Sequence, residues 1–476
     1  MEYEAVIGME VHVELSTASK MFCRCSTQFQ APPNTNVCPV CLGMPGVLPV
    51  MNKRAVDFAV AVGLALNCTI ARWSKMDRKN YFYPDLAKNY QVSQYDLPLC
   101  HDGCIQIAVN GATKRIGITR AHLEEDTARN THTLGGGVSG VDFNRSGVPL
   151  LEIVTEPDIS SADEAFAYLT ELKRILQYLE VSDCNMEEGS LRAEANVSLR
   201  PKGTSAFGVK TEVKNVASFS GVHKAIDYEI ARQRQILDEG GVVLQETRGW
   251  DADRGITVSQ RSKESAHDYR YFPEPDLVPL AVDEAWEMKI RETLPELPRA
   301  RWGRFQEQYG LSAYDADVLT ASRAMADYFE ATVKAGAGAK QAANWIMGDL
   351  QALLTKTAMP IEACKVASAE LAAMIRLIDD GTISGKIAKD VLLDMFDTGQ
   401  SAKSIVEAKG LLQISDESEL VQVVADVVAA NPGPVEDFRN GKQKAVGFLM
   451  GQVMKATQGK ANPKMVNDIL MKALKH

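Results

Sequence analysis

The octet Gly8 to Leu15, GMEVHVEL, alternates Glu10, His12 and Glu14 with Met9, Val11 and Val13. Side chains of an extended chain point to opposite faces in turn, so two carboxylates and an imidazole share one face of a strand whose other face is apolar. The split recurs in LRAEANVSL, where Arg192, Glu194, Asn196 and Ser198 oppose Leu191, Ala193, Ala195, Val197 and Leu199. It recurs again in VKTEVKN, which groups Lys210, Glu212 and Lys214. A half-solvated antiparallel sheet produces such alternation without any chemistry. These strands, however, gather Glu, His, Arg and Asn, side chains that bind hard cations and the phosphates accompanying them. RAHLEEDTAR adds Glu124, Glu125 and Asp126 beside His122, and alternation leaves open which of the three points inward. A carboxylate cluster needs a counter-charge or takes up protons, and Mg²⁺ with nucleotide phosphates is the simplest partner. Lys79, Tyr81 and Lys88 in RKNYFYPDLAKNYQVSQYD could hold phosphate or substrate, a solvated loop with aromatic anchors being the alternative. These residues describe a metal-assisted enzyme that handles phosphate and a carboxylate or amide.

A second group is Cys23, Cys25, Cys38 and Cys41, a C-x-C pair and a C-x-x-C pair separated by twelve residues. Four thiolates in two close pairs suit tetrahedral zinc, and Pro39 with Gly43 favours the tight turn that aims backbone N–H groups at sulfur. Ordinary buried thiols are the alternative. A closed four-sulfur shell leaves no position for water, so the expected role is a structural clamp, a zinc knuckle over residues 23–41. Cys100, His101 and Cys104 in LCHDGC read as a hairpin turn rather than a metal site.

The elements that must position these groups follow from the wider pattern. With 476 residues the chain has room for about three domains. Hydrophobic content of 45% and charged content of 24% are those of an ordinary globular protein. The N-terminus lacks the basic and apolar regions of a signal peptide, and the most apolar stretch, Ala55 to Ala71, is interrupted by Asp57 and Asn67. A cytoplasmic location without membrane association is expected. Residues 1–292 mix alternating strands, Gly/Pro turns and a few helices, an α+β pattern with antiparallel hairpins. One helix is expected from Asp163 to Leu179, with Phe166, Leu169, Leu172, Leu176 and Leu179 on its apolar stripe and Ser160 or Ser161 as cap. Ala-, Leu- and Met-rich helical periodicity then runs to the C-terminus, with a break near 400–410, giving helical segments 293–406 and 407–476. In SAELAAMIRLIDDGT, Leu371, Met374, Ile375 and Ile378 form a stripe ending at Gly381. Net charge is −10, yet from Arg439 onward eight Lys/Arg face one acid, Asp468, so basic charge collects in the tail.

The motifs VIGMEVHVEL, DRKNYFYPDLAKNYQVSQYD, RIGITRAHLEEDTAR, EEGSLRAEANVSLRP, TEVKNVASF, QETRGWD and DYRYFPEPDLVPL, in this order, closely resemble the B subunits of tRNA-dependent amidotransferases, the GatB/GatE family. The resemblance covers essentially the whole chain. It implies a glutamine-synthetase-like antiparallel-sheet cradle domain (1–292), an all-α helical domain (293–406) and a YqeY-like tail (407–476). It further implies ATP-dependent phosphorylation of the side-chain carboxylate of misacylated Glu-tRNA(Gln) and/or Asp-tRNA(Asn), followed by amidation with ammonia. By the same resemblance Glu10, His12, Glu125 and Glu212 are expected to bind Mg²⁺, Lys79 and Arg192 to contact phosphate or carboxylate, and Cys23, Cys25, Cys38 and Cys41 to hold zinc. Lys442, Lys444, Lys455 and Lys460 are the expected tRNA contacts. The chain has no amidase nucleophile motif, so ammonia should come from glutamine through a separate glutaminase, the family's A-type partner, with a small C-type partner completing a heterotrimer. DYRYFPEPDLVP, stiffened by Pro273, Pro275 and Pro279, is a candidate wall or gate of an ammonia conduit, a rigid interdomain loop being the alternative. Two competing functions are a noncatalytic tRNA-binding scaffold and a zinc hydrolase using Glu10 and His12; no H-E-x-x-H motif supports the latter.

Overall fold

The computed structural model describes residues 2–131, 137–262, 266–411, 417–439, 442, 444–457, 461 and 463–475. Two compact units divide at the Leu297–Pro298 bond. The first is built on nine strands: β1 (Tyr3–Glu14), β2 (Thr69–Ile70), β3 (Cys100–Val109), β4 (Ala112–Glu125), β5 (Pro149–Thr155), β6 (Leu191–Pro201), β7 (Thr211–Lys214), β8 (Glu246–Asp251) and β9 (Ile256–Ser262). Their spatial order is β9-β8-β7-β6-β1-β5-β4-β3-β2, which puts β1 in the middle. The alternation of β1 survives as burial, for Ile7, Met9, Val11 and Val13 are inaccessible while Gly8, Glu10, His12 and Glu14 are only part-buried.

Neighbouring strands are antiparallel except β7 and β8, which pair in parallel with Glu212 opposite Thr247. The expectation of an antiparallel sheet is corrected at this pair. Two strands joined by a long crossover can run the same way, whereas a short turn forces reversal, and helix α3 (Phe219–Asp238) fills the connection. The reversal between β3 and β4 is such a turn, Asn110-Gly111, both with positive φ (+52° and +79°). LCHDGC, expected as a turn, lies instead within β3, where Asp102 adopts a φ of +54° without shifting the register against β4.

The apolar face of the sheet packs with α1 (Lys53–Ala65), α2 (Ala162–Tyr178) and α3 in one core that contains Met9, Val11, Val60, Leu169, Leu172, Ala195 and Ile226. Ser161 caps α2, its side chain accepting from the Glu164 backbone N–H at 3.2 Å. Leu169, Leu172 and Leu176 occupy the buried stripe, but Phe166 is 41% exposed and meets Phe219 of α3 edge-on. A smaller sheet joins Asp77–Asn80 to Tyr90–Ser93 and to Phe272–Pro273.

The second unit is helical among its described residues. One apolar core gathers Phe305, Phe329, Leu350, Leu371, Val391 and Phe396; another gathers Leu420, Val424, Leu449, Val453, Val466 and Leu470. The helix Ser368–Asp379 buries Leu371, Met374 and Ile375, and Gly381 beyond its end has a φ of +74°. Among the described residues no helix is long and apolar enough to cross a membrane.

Candidate functional site

Strand pairing assembles the charged residues one rung at a time. His122 on β4 stands opposite Glu152 on β5, Glu152 opposite His12 on β1, and His12 opposite Arg192 on β6. Along β1, Glu10 faces Glu194 on β6, and Glu212 on β7 completes the group. His12 Nε2 lies 3.4 Å from Glu152 and 3.9 Å from Glu10. His122 Nε2 lies 3.2 Å from Glu124 and 3.5 Å from Glu152. Three sets of donor atoms, Glu10/His12/Glu152, His122/Glu124/Glu152 and Glu10/Glu194/Glu212, each fall within 4.8 Å of one another. Because Glu152 and Glu10 belong to two sets each, five carboxylates and two imidazoles form a continuous array. Glu10, His122, Glu152 and Glu212 line a cavity of about 310 Å³, whose other walls include Lys79, Arg120, Lys210, Lys214, Tyr95, Tyr269 and Tyr271.

The electrostatics follow from crowding. Burial and the charge of Glu152 push the Glu10 carboxyl up to about 7. Burial opposes a charged His12, but the hydrogen bond and charge of Glu152, with Glu10 and Glu194, outweigh it and lift the imidazole to about 9. Burial also opposes ionisation of Glu152, yet His122, His12 and Lys79 hold it well below the usual carboxylate range. Lys79 is raised well above its ordinary value, because Glu124, Tyr271 and Glu152 overcome the burial that would lower it. Lys214 Nζ contacts Glu194 at 2.7 Å and Glu212 at 3.7 Å. The array therefore compensates its negative charge with retained protons and lysines. An oxygen-rich set of this kind is the donor chemistry of a hard divalent cation.

Of the residues singled out in the sequence, the structure brings Glu10, His12, Glu212 and Lys79 together and separates Glu125 and Arg192 from them. Alternation along β4 sends Arg120, His122 and Glu124 to the array and Glu125 to the other side. There Glu125 accepts from the Val92 N–H at 3.0 Å and meets Lys88 Nζ at 2.5 Å. Glu124 takes its place, accepting from Ser93 Oγ at 2.6 Å and Gln91 Nε2 at 3.0 Å. Arg192 turns to Asp126, donating to both carboxylate oxygens at 3.2 and 3.0 Å, because a buried carboxylate needs a paired cation. Glu14 joins that pair, its carboxyl pushed up to about 8 by burial and by Asp126. Glu152 escaped notice in the sequence, although it is the single charge in the apolar run PLLEIVT.

The four cysteines also converge, with all four sulfurs within 4.8 Å of one another. Cys38 and Cys41 sulfurs are 3.9 Å apart, close to the ~3.8 Å expected of two ligands ~2.3 Å from one tetrahedral ion. The Cys38 N–H donates to Cys41 Sγ at 3.2 Å. The fully buried Lys20 places Nζ 3.7 Å from the same sulfur and 3.1 Å from the Phe143 carbonyl. Gly43 has a φ of +66°, and a Cβ there would collide with the Lys88 side chain. Lys20, Cys23, Cys41, Lys88, Glu125 and Glu274 line a second cavity of about 250 Å³. The segment DYRYFPEP thus reaches both cavities, through Tyr269 and Tyr271 in one and Glu274 in the other. A third, mainly apolar cavity of about 360 Å³ includes Val6, Gly8, Phe207 and Gly208, and shares Lys210 with the charged one.

In the tail, Lys442, Lys444 and Lys455 are exposed; Lys442 Nζ pairs with Asp437 at 2.9 Å, and the other two lie on the helix Lys444–Ala456. Lys460 lies outside the described residues.

Residues 5–288 match the family described as the GatB/GatE catalytic domain, and residues 327–474 the one described as the GatB domain. The chain belongs to the GatB/GatE family. It is 58% identical over 476 residues to the B subunit of the aspartyl/glutamyl-tRNA(Asn/Gln) amidotransferase of Moorella thermoacetica, covering 100% of both chains. To the protein of that name from Carboxydothermus hydrogenoformans it is 57% identical over 472 residues, 98% of each chain. To that from Thermodesulfovibrio yellowstonii it is 55% identical over 475 residues, 100% of each. Within this GatB/GatE chain, the catalytic-domain match contains every donor of the carboxylate array and all four clustered cysteines.

Proposed function

We propose that this chain is the B subunit of a tRNA-dependent amidotransferase. It converts misacylated Glu-tRNA(Gln) and/or Asp-tRNA(Asn) to Gln-tRNA(Gln) or Asn-tRNA(Asn), phosphorylating the side-chain carboxylate with ATP and amidating it with ammonia. The observation that carries this reading is the carboxylate and imidazole array on the central strands of a sheet that matches the catalytic domain. A carboxylate is not amidated directly, because oxide cannot leave. ATP with Mg²⁺, when bound, supplies the phosphoryl group that converts the carboxylate oxygen into a leaving group. Glu10, His12, Glu152 and Glu212 are the residues suited to hold divalent cations, with Glu124 rather than Glu125 beside them. Lys79, Arg120, Lys210 and Lys214 surround the same cavity and lower the cost of bringing two anions together. The apolar cavity that shares Lys210 suits the base of the nucleotide, with Gly8 leaving its floor open.

The four cysteines are proposed to hold a structural zinc, since four sulfurs leave no open position. Ammonia would come from a separate glutaminase, the A-type partner, with a small C-type partner in the heterotrimer. The partition into a glutamine-synthetase-like cradle, a helical domain and a YqeY-like tail remains part of this proposal, as do tRNA contacts by Lys442, Lys444 and Lys455. The nine cysteines, free in the structure, are in keeping with a cytoplasmic setting. A noncatalytic scaffold would have no use for a buried donor array.

The test is ATP cleavage dependent on misacylated tRNA in the assembled complex. E10A and H12A are expected to lose at least about a hundredfold in turnover while glutamine hydrolysis persists. Wild-type ATP turnover in both variants would overturn the reading.

A further inference from the structure

Four tyrosines from three separate segments touch in series, and three of them, Tyr95, Tyr269 and Tyr271, line the charged cavity. Tyr95 stacks on Tyr271 with centroids 4.4 Å apart and planes 8° from parallel. Tyr271 meets Tyr269 edge-on at 6.1 Å, and Tyr269 meets Tyr81 edge-on at 6.0 Å. Asn80 Nδ2 ties the loops together by donating to the carbonyls of Tyr269 and Arg270 at 3.3 and 2.9 Å. Arg270 has a φ of +46°, a conformation that costs a non-glycine residue energy, and it separates Tyr269 from Tyr271, both of which line the cavity.

This run is not a satisfied apolar core. Tyr95 remains 44% exposed although one face of its ring is covered, and the adjacent Phe82 is 79% exposed. Cations accompany the rings: Lys79 Nζ is 5.0 Å from the Tyr269 centroid, and the Arg270 guanidinium is 6.0 Å from that of Phe82. Exposed rings interleaved with cations are the surface on which single-stranded nucleic acid stacks, because every base has a π face and every linkage a negative charge.

We infer that this tyrosine rim is a stacking platform for the unpaired 3′-terminal nucleotides of the aminoacyl-tRNA. The inference rests on the function proposed above and names the part of the substrate that the rim receives. The reacting carboxylate must enter the array, yet the cavity of about 310 Å³ is near the lower limit of small-molecule pockets, ~300 Å³. The aminoacyl group shares it with the phosphates of ATP, which leaves the terminal ribose and its neighbouring bases at the mouth. Tyr95 and Tyr271 line that cavity, so a base stacked on the open face of Tyr95 extends an existing pile and holds the ester beside Lys79. The platform is indifferent to base identity, as stacking is, and therefore positions the end of the tRNA without reading it.

The test uses the full chain in its assembled complex and two tRNA transcripts, one intact and one lacking its last three nucleotides. Y95A is expected to bind the intact transcript about tenfold more weakly than wild type and the shortened one within about twofold. Y95L, which keeps apolar bulk without a π face, loses the same factor, whereas the ring-preserving Y95F recovers the intact transcript. With 2-aminopurine as the terminal base, binding quenches fluorescence in wild type and leaves it bright in Y95A and Y95L. Equal losses on both transcripts, no loss on the intact one, or quenching that persists in Y95L would each overturn the platform. Failure of the wild-type complex to bind either transcript would instead overturn the proposed function.

Discussion

The carboxylate of Glu152 lies 3.4 Å from His12 Nε2 and 3.5 Å from His122 Nε2, so a single acid joins the imidazoles of two strands that do not touch. Glu152 belongs to two of the three donor sets, and its loss should divide the array. E152Q is expected to bind Mn²⁺, a spectroscopic stand-in for Mg²⁺, ten- to hundredfold more weakly. Electron paramagnetic resonance titration of the complex checks this; undiminished binding would exclude Glu152 from the site.

Glu124 and Glu125 are neighbours in sequence and face opposite ways. E124Q should weaken Mn²⁺ binding and tRNA-dependent ATP cleavage. E125Q should leave Mn²⁺ affinity within about twofold, because Glu125 contacts Lys88 and the Val92 amide instead. Reversal of the two phenotypes would show that the metal lies on the Lys88 side of β4.

Lys20 donates to the sulfur of Cys41 from a fully buried position. Groups that hydrogen-bond a metal ligand tune its affinity about ten- to hundredfold. K20M, which keeps the volume and removes the donor, is therefore expected to surrender zinc to a chelator at a correspondingly lower concentration. Retention identical to wild type would mean that Lys20 serves packing alone.

Glu330 ties two helices of the second unit together, accepting from Arg304 at 2.7 Å and Tyr309 at 3.0 Å, and pairing with Arg301 at 2.5 Å. Burial would raise its carboxyl, but these hydrogen bonds bring it down from 4.5 to about 2. Its folded value lies below the unfolded one, so its contribution is present above about pH 4.5 and disappears as pH falls toward 2. With a quarter of the side chain exposed, roughly 1–2 kcal/mol is at stake. Urea denaturation should separate wild type from E330Q at pH 6, narrow the gap by pH 3 and bring the two together only near pH 2. A gap that does not narrow would show that Glu330 does not titrate with folding.

Much of the first unit was legible in the chain. Ile7, Met9, Val11 and Val13 are buried because β-strand geometry repeats every two residues, whatever the strand pairs with. The α2 stripe and the Ser161 cap were legible for the same reason, since helix periodicity and capping are settled within a few residues. The two cysteine pairs were readable because their spacing is itself the chemical signal.

Partnership between distant segments was not readable in this way. The pattern RAHLEEDTAR could not choose between Glu124 and Glu125, because the choice depends on which face of the sheet each one leaves and what packs there. Nor could it tie Arg192 to Asp126, 66 residues away. Tyr95 and Tyr271 come from loops far apart in the chain, and only the small sheet that joins Asp77–Asn80 to Tyr90–Ser93 and Phe272–Pro273 stacks them. By itself the sequence determined which side of each strand would be polar, since that follows from the covalent geometry of an extended chain. The tertiary structure decided which polar groups meet, because cross-strand register is set by the packing of the whole sheet.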